Sequence, residues 1–354
     1  MKRLLKISAF VLAILILIVV IWPEKKHVIF TPDAGYLAKS AEYNLPNLPP
    51  DWEDYTFESA EGTAIRWGET GNRAAGKATV LFIPGYTSSM DMYGYHVNQI
   101  ASRGYHVAGL DLRGQGRSGR HRDSQPEKLY ADDFNVYADD VARLIKAQGF
   151  GDDKPLIVLG SSFGGHISLL LAGDFDASVD GLVLLAPAYE PNTAPLSLGM
   201  TKAVVGAAKL LGKSKQYAAT QGPWRPDGTD LTAPSDCSSY PPRLYLRDTL
   251  FVRDPSQRVG GATNQYLSGL IRSGEYLQTD AFEARVTVPV EMIAAETDTI
   301  INNAVSEDAC VNGLPNCTLT ILPGTGHCLT LENDDVLGAI FDKIDVIFSA
   351  ITEG

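Results

Sequence analysis

The chain has 354 residues, of which 42 are acidic and 30 basic, so its formal net charge at pH 7 is −12. This acidic balance argues against a nucleic-acid partner and against tight binding to an anionic lipid face, because both attract Lys and Arg. The 45% hydrophobic and 20% charged content is typical of a globular protein. The length suffices for one large core and an inserted subdomain.

The first segment is almost wholly apolar between Leu4 and Trp22. At 1.5 Å per residue it reaches about 28 Å, the thickness of a bilayer core. We therefore expect an N-terminal transmembrane helix, an uncleaved signal anchor over residues 1–22, followed by a linker over residues 23–48. A cleaved signal peptide is the alternative, but no small-x-small cleavage site follows. The remaining domain is accordingly expected to be membrane-anchored and exported, to the periplasm or the extracellular side.

Two predicted strands come next, each followed by a loop rich in small residues. Thr79–Ile83 leads into the loop over residues 84–89, and Tyr105–Asp111 leads into residues 112–119. The second loop lacks both the Gly-Lys-Ser/Thr ending of a nucleotide-binding loop and the spacing of a dinucleotide turn. It is interpreted as a structural turn.

A nucleophilic serine is predicted where a buried strand meets a helix. The apolar run Pro155–Leu159 is followed by Gly-Ser-Ser-Phe-Gly, with Ser162 at its centre, and then by an amphipathic segment. A strand that reverses sharply into a helix strains the residue at the apex and admits only small neighbours, here Gly160 and Gly164. The turn exposes the serine hydroxyl near the helix N-terminus, where a developing oxyanion is stabilised.

The acid and the base of a catalytic triad are predicted in the last third of the chain, in the order that follows such a serine. Val290–Ala295 is a short apolar strand, and Asp298 lies in the loop after it. Glu296 is the second candidate for the acid. The next strand, Thr318–Leu322, ends in a glycine-rich loop that carries His327.

The oxyanion hole is expected to use two main-chain amides. One belongs to Phe163, directly after the nucleophile, and the other to Tyr86, in the loop after the predicted strand Thr79–Ile83.

About 100 residues separate the strand Gly181–Ala186 from the acid strand, which is more than one crossover helix needs. We expect a cap over the serine at about residues 188–285, inserted into a domain that spans residues 49–354. Caps of this kind set the size and polarity of a pocket.

The four cysteines are compatible with export. Cys310 and Cys317 flank a short turn and form a possible disulfide. Cys328 follows the candidate base directly, and is expected either as a packed thiol or bonded to Cys237. No metal site is predicted, because neither CxxC nor HExxH spacing occurs.

Several of these motifs occur together in one family. They are Pro84-Gly85-Tyr86, Asp111 to Ser118, Phe134 to Asp140, Gly160 to Gly164, Asp298, Gly326-His327 and Leu329 to Glu332. Together they resemble the α/β-hydrolases of the lysophospholipase and monoacylglycerol lipase group over residues 50–350, except for the stretch between 190 and 280. The resemblance implies an α/β-hydrolase fold with a mostly parallel central sheet flanked by helices. One departure is Pro84, where the family often has histidine.

The function expected from the triad and the resemblance is that of a serine hydrolase that cleaves carboxylic esters of lipids through an acyl-enzyme. No cofactor is predicted, and the predicted partners are a lipid ester substrate and the membrane. An acyltransferase or a peptidase on the same triad is an alternative within the enzymes. A non-catalytic lipid-binding protein on the same fold is the alternative from another class.

Overall fold

The computed structural model describes residues 30–35, 37–38, 47–121, 124–131, 133–226 and 237–353. Its centre is a sheet whose strands, in chain order, are β1 (Glu53–Glu58), β2 (Ala64–Thr70), β3 (Thr79–Ile83), β4 (His106–Leu110), β5 (Leu156–Ser161), β6 (Gly181–Leu185), β7 (Val290–Ala295) and β8 (Cys317–Leu322). The spatial order is β1-β2-β4-β3-β5-β6-β7-β8. Only the pairs β1/β2 and β2/β4 are antiparallel. The expected mostly parallel sheet is confirmed.

The inner strands are apolar along their whole length because both faces of the sheet are covered. Strands β3, β5, β6 and β7 contain only buried residues. Successive side chains of β3 alternate between two cores: Leu81 and Ile83 pack on one side, and Val80 and Phe82 on the other. Continuous apolar runs of this kind are expected for parallel strands buried on both faces.

Helices lie on both faces of the sheet and in the insertion between β6 and β7. They are α1 (Gly94–Ser102), α2 (Asn135–Gln148), α3 (Phe163–Asp174), α4 (Leu198–Leu210), α5 (Pro241–Leu244), α6 (Leu246–Arg253), α7 (Asn264–Leu277), α8 (Asp280–Glu283), α9 (Asn303–Asp308) and α10 (Asp334–Glu353). Apolar residues of α2 and α3 complete the core on one face, while those of α1 and α10 complete the core on the other.

The chain between β6 and β7 forms an insertion that contains α4 to α8. Helix α4 begins after Ser197, whose side chain accepts a hydrogen bond from the amide of Met200. It packs against α7. Lys202 of α4 forms an ion pair with Glu275 of α7. The insertion is thus itself a packed unit and not an irregular loop.

Two disulfides are present in the described part of the chain. Cys310 and Cys317 close a short loop that leads into β8. Cys237 and Cys328 connect the insertion to the segment between β8 and α10, across a sequence separation of 91. The two alternatives for Cys328 are therefore resolved in favour of the bonded form in this structure.

The structure contradicts the expectations of an N-terminal transmembrane helix and of a membrane-anchored, exported domain. Across the described residues no helix is both long and apolar enough to cross a membrane. A spanning helix needs about 20 consecutive apolar residues. Helix α10 has 20 residues but carries acidic side chains, among them Asp334 and Asp345. The predicted helix over residues 4–22 itself lies outside the described residues.

Replacing Cys310 and Cys317 together by serine should lower the free energy of unfolding by roughly 2 to 3 kcal/mol, because the open chain regains the entropy that a short closed loop removes. Chemical denaturation of the oxidised wild-type and variant chains measures this difference. An unchanged denaturation midpoint would contradict the expectation.

Candidate active site

The predicted turn around Ser162 has the backbone of a nucleophile elbow. Strand β5 ends at Ser161 and helix α3 begins at Phe163, so that one residue separates the two elements. Ser162 has φ 50° and ψ −111°, a strained combination for a residue with a side chain. Its amide donates to the carbonyl of Leu185 in the neighbouring strand, which fixes the turn to the sheet.

The glycines on either side of the turn are required by close packing. A Cβ atom on Gly160 would lie 2.3 Å from the Ser168 hydroxyl oxygen. A Cβ atom on Gly164 would lie 2.0 Å from the carbonyl oxygen of Ile83, at the end of β3. Only glycine allows the start of α3 to approach β3 this closely, which is the reason for the Gly-x-Ser-x-Gly pattern.

The structure brings the three predicted triad residues together. The Ser162 Oγ and His327 Nε2 atoms lie 2.8 Å apart, and the His327 Nδ1 atom lies 2.6 Å from Asp298 Oδ2. With Nδ1–H donated to the carboxylate, Nε2 is the atom that accepts the serine hydroxyl. The side chains of His327 and Asp298 are almost fully buried, whereas Ser162 is partly accessible.

The loop after β7 separates the two candidate acids. Asp298 Oδ1 accepts hydrogen bonds from the amides of Ile300 (2.8 Å) and Ile301 (3.0 Å), so its other oxygen is held toward the imidazole. Glu296 is exposed, and its carboxylate accepts the amide of Gly324. Of the two, Asp298 contacts the imidazole, in keeping with the preference for it.

The two residues predicted to supply oxyanion-hole amides lie beside the serine. A Cβ atom on Gly85 would be 3.4 Å from the Ser162 Cβ, so the loop after β3 passes directly against the nucleophile. Phe163 is the first residue of α3, where the amides have no partner within the helix. The rings of Tyr86 and Phe163 both pack against Tyr266 of α7, at centroid distances of 5.0 and 5.7 Å. The roles of both amides remain predictions.

The Tyr86 side chain connects the oxyanion loop, defined as residues 84–89 after β3, to the insertion. Its hydroxyl donates a hydrogen bond to the carbonyl of Gly260 at 3.0 Å. Burial raises the pKa of the Tyr86 phenol well above its ordinary value, so the group remains a neutral donor. The Tyr86 side chain therefore positions the loop against the insertion.

Gln115 holds the same loop from the other side, a role that the sequence did not reveal. Its Oε1 accepts the amide of Thr87 at 2.5 Å, and its Nε2 donates to the carbonyl of Gly85 at 3.5 Å. Gln115 is fully buried. The glycine-rich turn that carries Gln115 was expected to be structural. The only sign of this role in the sequence is an amide side chain placed between two glycines.

A buried carboxylate joins the loops that follow β3 and β4. Asp111 accepts the amides of Met90 (2.7 Å) and Arg117 (2.9 Å) and lies 3.3 Å from the Arg66 guanidinium. Burial raises the pKa of Asp111, while Arg66 and the two amides act in the opposite direction. The segments that follow β3 and β4 therefore share one anchoring group.

A second histidine lies close to the elbow without contacting the serine. His166 of α3 has its Nδ1 2.8 Å from the carbonyl of Ala188 and its Nε2 2.6 Å from the Ser273 hydroxyl. Burial lowers the pKa of His166 to about 4. This neutral histidine joins α3 to the insertion.

Comparison with known proteins agrees with this geometry. Residues 74–334 match the family described as serine aminopeptidase, S33. The chain belongs to this family. The expected α/β-hydrolase of the lysophospholipase and monoacylglycerol lipase group is thereby confirmed, and so is a serine ester hydrolase at the level of the family.

The chain is also similar to individual proteins of known name and to solved structures. Lysophospholipase L2 of Escherichia coli strain K12 is 27% identical over 234 residues, which is 65% of this chain and 66% of the relative. Monoacylglycerol lipase of Mycolicibacterium smegmatis is 26% identical over 45% of this chain and 54% of its own length. The structure of a soluble variant of monoglyceride lipase from Saccharomyces cerevisiae, in complex with a substrate analog, superposes with a TM-score of 0.64 at 18% identity. It covers 88% of this chain and 99% of the other. The likeness to the solved structure concerns the fold.

The contact between Gly164 and Ile83 predicts the effect of a single added methyl group. Gly164→Ala should destabilise the fold by about 3 kcal/mol, because the new Cβ meets a backbone carbonyl that cannot rotate away. Gly206→Ala is the matched control: nothing lies within 4 Å of its Cβ position in α4, and it should stabilise by about 0.5 to 1 kcal/mol. Thermal denaturation of both variants measures the contrast, and similar melting temperatures would contradict it.

Gln115→Leu should lower kcat for a soluble ester by about tenfold to a hundredfold, since the oxyanion loop loses its two hydrogen bonds to the Gln115 side chain. Steady-state kinetics with p-nitrophenyl butyrate provides the measurement. A kcat equal to that of the wild type would show that the loop holds its shape without Gln115.

Proposed function

We propose that this chain hydrolyses lipid carboxylic esters through a Ser162–His327–Asp298 triad and an acyl-enzyme intermediate. The observation that carries the proposal is the continuous hydrogen-bonded series from the Ser162 hydroxyl through the imidazole to the buried carboxylate. It begins at a partly accessible serine on a strained turn and ends at a carboxylate that two amides orient. This is the arrangement that nucleophilic catalysis by serine requires.

In the proposed reaction, Ser162 Oγ attacks the ester carbonyl carbon while His327 Nε2 takes the hydroxyl proton. Asp298 stabilises the imidazolium and keeps Nδ1 protonated. The amides of Tyr86 and Phe163 donate to the tetrahedral oxyanion. The imidazolium then gives its proton to the leaving alcohol, and an acyl group remains on the serine.

Deacylation repeats these steps with water. His327 takes a proton from the attacking water, and a second tetrahedral oxyanion forms. When it collapses, the bond between the acyl carbon and Ser162 Oγ breaks, the imidazolium returns its proton to Oγ, and the fatty acid leaves. Every group needed for both halves is a side chain or an amide of this chain. The reaction as proposed therefore needs no cofactor.

Two lines of support favour a lipid ester as the substrate. The relatives with the printed names lysophospholipase and monoacylglycerol lipase act, as those names say, on esters with one acyl chain. In addition, Tyr86, a partly accessible residue of the loop beside the nucleophile, packs its ring against the buried Tyr266 ring of the insertion. We propose a lysophospholipid or a monoacylglycerol as the substrate class.

A peptidase is the second candidate, because the description of the matching family names an aminopeptidase. An acyltransferase would use the same acyl-enzyme with an alcohol in place of water. A panel of lysophospholipids, monoacylglycerols, p-nitrophenyl esters and aminoacyl anilides, each with and without an added alcohol acceptor, separates the three activities.

The nucleophile assignment is tested with a fluorophosphonate probe, which should modify Ser162 and no other serine. Ser162→Ala and His327→Ala should each lower ester turnover by about 10⁴-fold or more, because triad residues act as a unit. Ser168→Ala, which removes another buried hydroxyl near the turn, is the matched control and should still be labelled. Labelling of Ser162→Ala at the wild-type level would refute the assignment.

A further inference from the structure

Glu332 is a buried carboxylate to which the proposed reaction gives no task. It has no exposed surface. Its Oε1 accepts two amides, that of Gly326 at 3.1 Å and that of Ser239 at 2.9 Å. Its Oε2 accepts the Ser239 hydroxyl at 2.6 Å. One carboxylate thus joins the residue directly before His327 to a segment of the insertion.

The residue directly after His327 is held to the same segment. Cys328 is disulfide-bonded to Cys237, and its amide donates to the Cys237 carbonyl at 2.5 Å. The Ser238 hydroxyl donates to the carbonyl of Leu331 at 3.1 Å. His327 therefore lies between two neighbours, each of which is attached to residues 237–239.

The loop that carries His327 has little intrinsic stiffness. Gly324 has φ 68°, and Gly326 precedes the histidine. Glycine gives the backbone more conformations than any other residue, so such a loop holds one geometry only when other contacts restrain it. The loop after β7 restrains Gly324 and Thr325. The two residues directly beside His327 are restrained by Glu332 and by the insertion, which is remote in sequence.

We propose that Glu332 is a positioning residue for His327, and that it acts together with the Cys237–Cys328 disulfide. The histidine-loop clamp, defined as Cys237, Ser239, Cys328 and Glu332, keeps the imidazole within reach of Ser162. This inference rests on the proposed function, in which His327 is the base. It adds that the insertion helps to hold the base in place.

The contacts of Glu332 predict which substitution is tolerated. Both amides donate to a single oxygen, Oε1, which glutamine also possesses. The amide nitrogen of glutamine would replace Oε2, and the Ser239 hydroxyl can then accept instead of donate. Glu332→Gln should preserve the clamp, whereas Glu332→Ala leaves both amides and the hydroxyl without their acceptor.

The experiment compares kcat and KM of the full chain for p-nitrophenyl butyrate, well below the melting temperature. Glu332→Ala should lower kcat by about tenfold to a hundredfold with little change in KM, since a misplaced base slows chemistry more than binding. Glu332→Gln should stay within about threefold of the wild type. The rate of fluorophosphonate modification of Ser162 should fall in parallel with kcat.

Glu291→Ala is the matched control for stability. Glu291 is also a buried carboxylate, but it pairs with Lys343 of α10 at 3.0 Å, away from the histidine loop. It should lower the melting temperature and leave kcat unchanged. Equal losses of kcat in Glu291→Ala and Glu332→Ala would show that Glu332 only stabilises the fold, and would overturn the proposal.

The Cys237–Cys328 disulfide is the covalent part of the clamp, and the Cys310–Cys317 disulfide serves as its control. The double variant Cys237→Ser/Cys328→Ser should lower kcat in the way that Glu332→Ala does, while Cys310→Ser/Cys317→Ser should not. A wild-type kcat in both the Glu332→Ala and the Cys237→Ser/Cys328→Ser chains would refute the clamp alone. A wild-type chain that hydrolyses no ester would instead refute the proposed function and the clamp with it.

Discussion

The close approach of helix α3 to strand β3 at Gly164 and Ile83 is the constraint on which the rest of the site depends. Because no side chain separates them, the helix begins directly above the end of the strand, and the turn before it must be sharp. The strain at Ser162 follows from that turn. The same approach brings the loop after β3 against the nucleophile, so one packing contact places both the serine and the candidate oxyanion donors.

The site is assembled from strands that all end at the same edge of the sheet, but its precision comes from buried polar groups between loops. Asp111 ties the loops after β3 and β4, Gln115 ties the latter to the oxyanion loop, and Glu332 ties the histidine loop to the insertion. Each group accepts one or two main-chain amides of these segments. Such bonds are costly to lose, so they fix loop geometry more firmly than apolar contact does.

The parts of the site that sequence reasoning predicted are those with a local signal. Ser162, Asp298 and His327 each follow an apolar run of strand length, and small residues or glycines accompany them. For Cys328 the sequence left two alternatives open, a packed thiol and a bond to Cys237, and it did not reveal the contacts of Gln115 and Glu332. These contacts depend on partners far away in the chain, as the separation of 91 between the two cysteines illustrates. Local patterns of polarity carry no information about such pairs. The transmembrane prediction rested on residues outside the described part, and the described helices provide no support for it.

The hydrogen bond from the Tyr86 hydroxyl to the carbonyl of Gly260 has a consequence for how this enzyme family can diversify. An insertion that decides which substrate enters is usually regarded as an exchangeable module. Here it supplies an acceptor to the loop beside the nucleophile, so a graft from a relative must reproduce a backbone carbonyl at the position of Gly260. Chimeras designed by matching only the ends of the insertion would lose this acceptor, and the oxyanion loop would then lose one of the contacts that hold its shape.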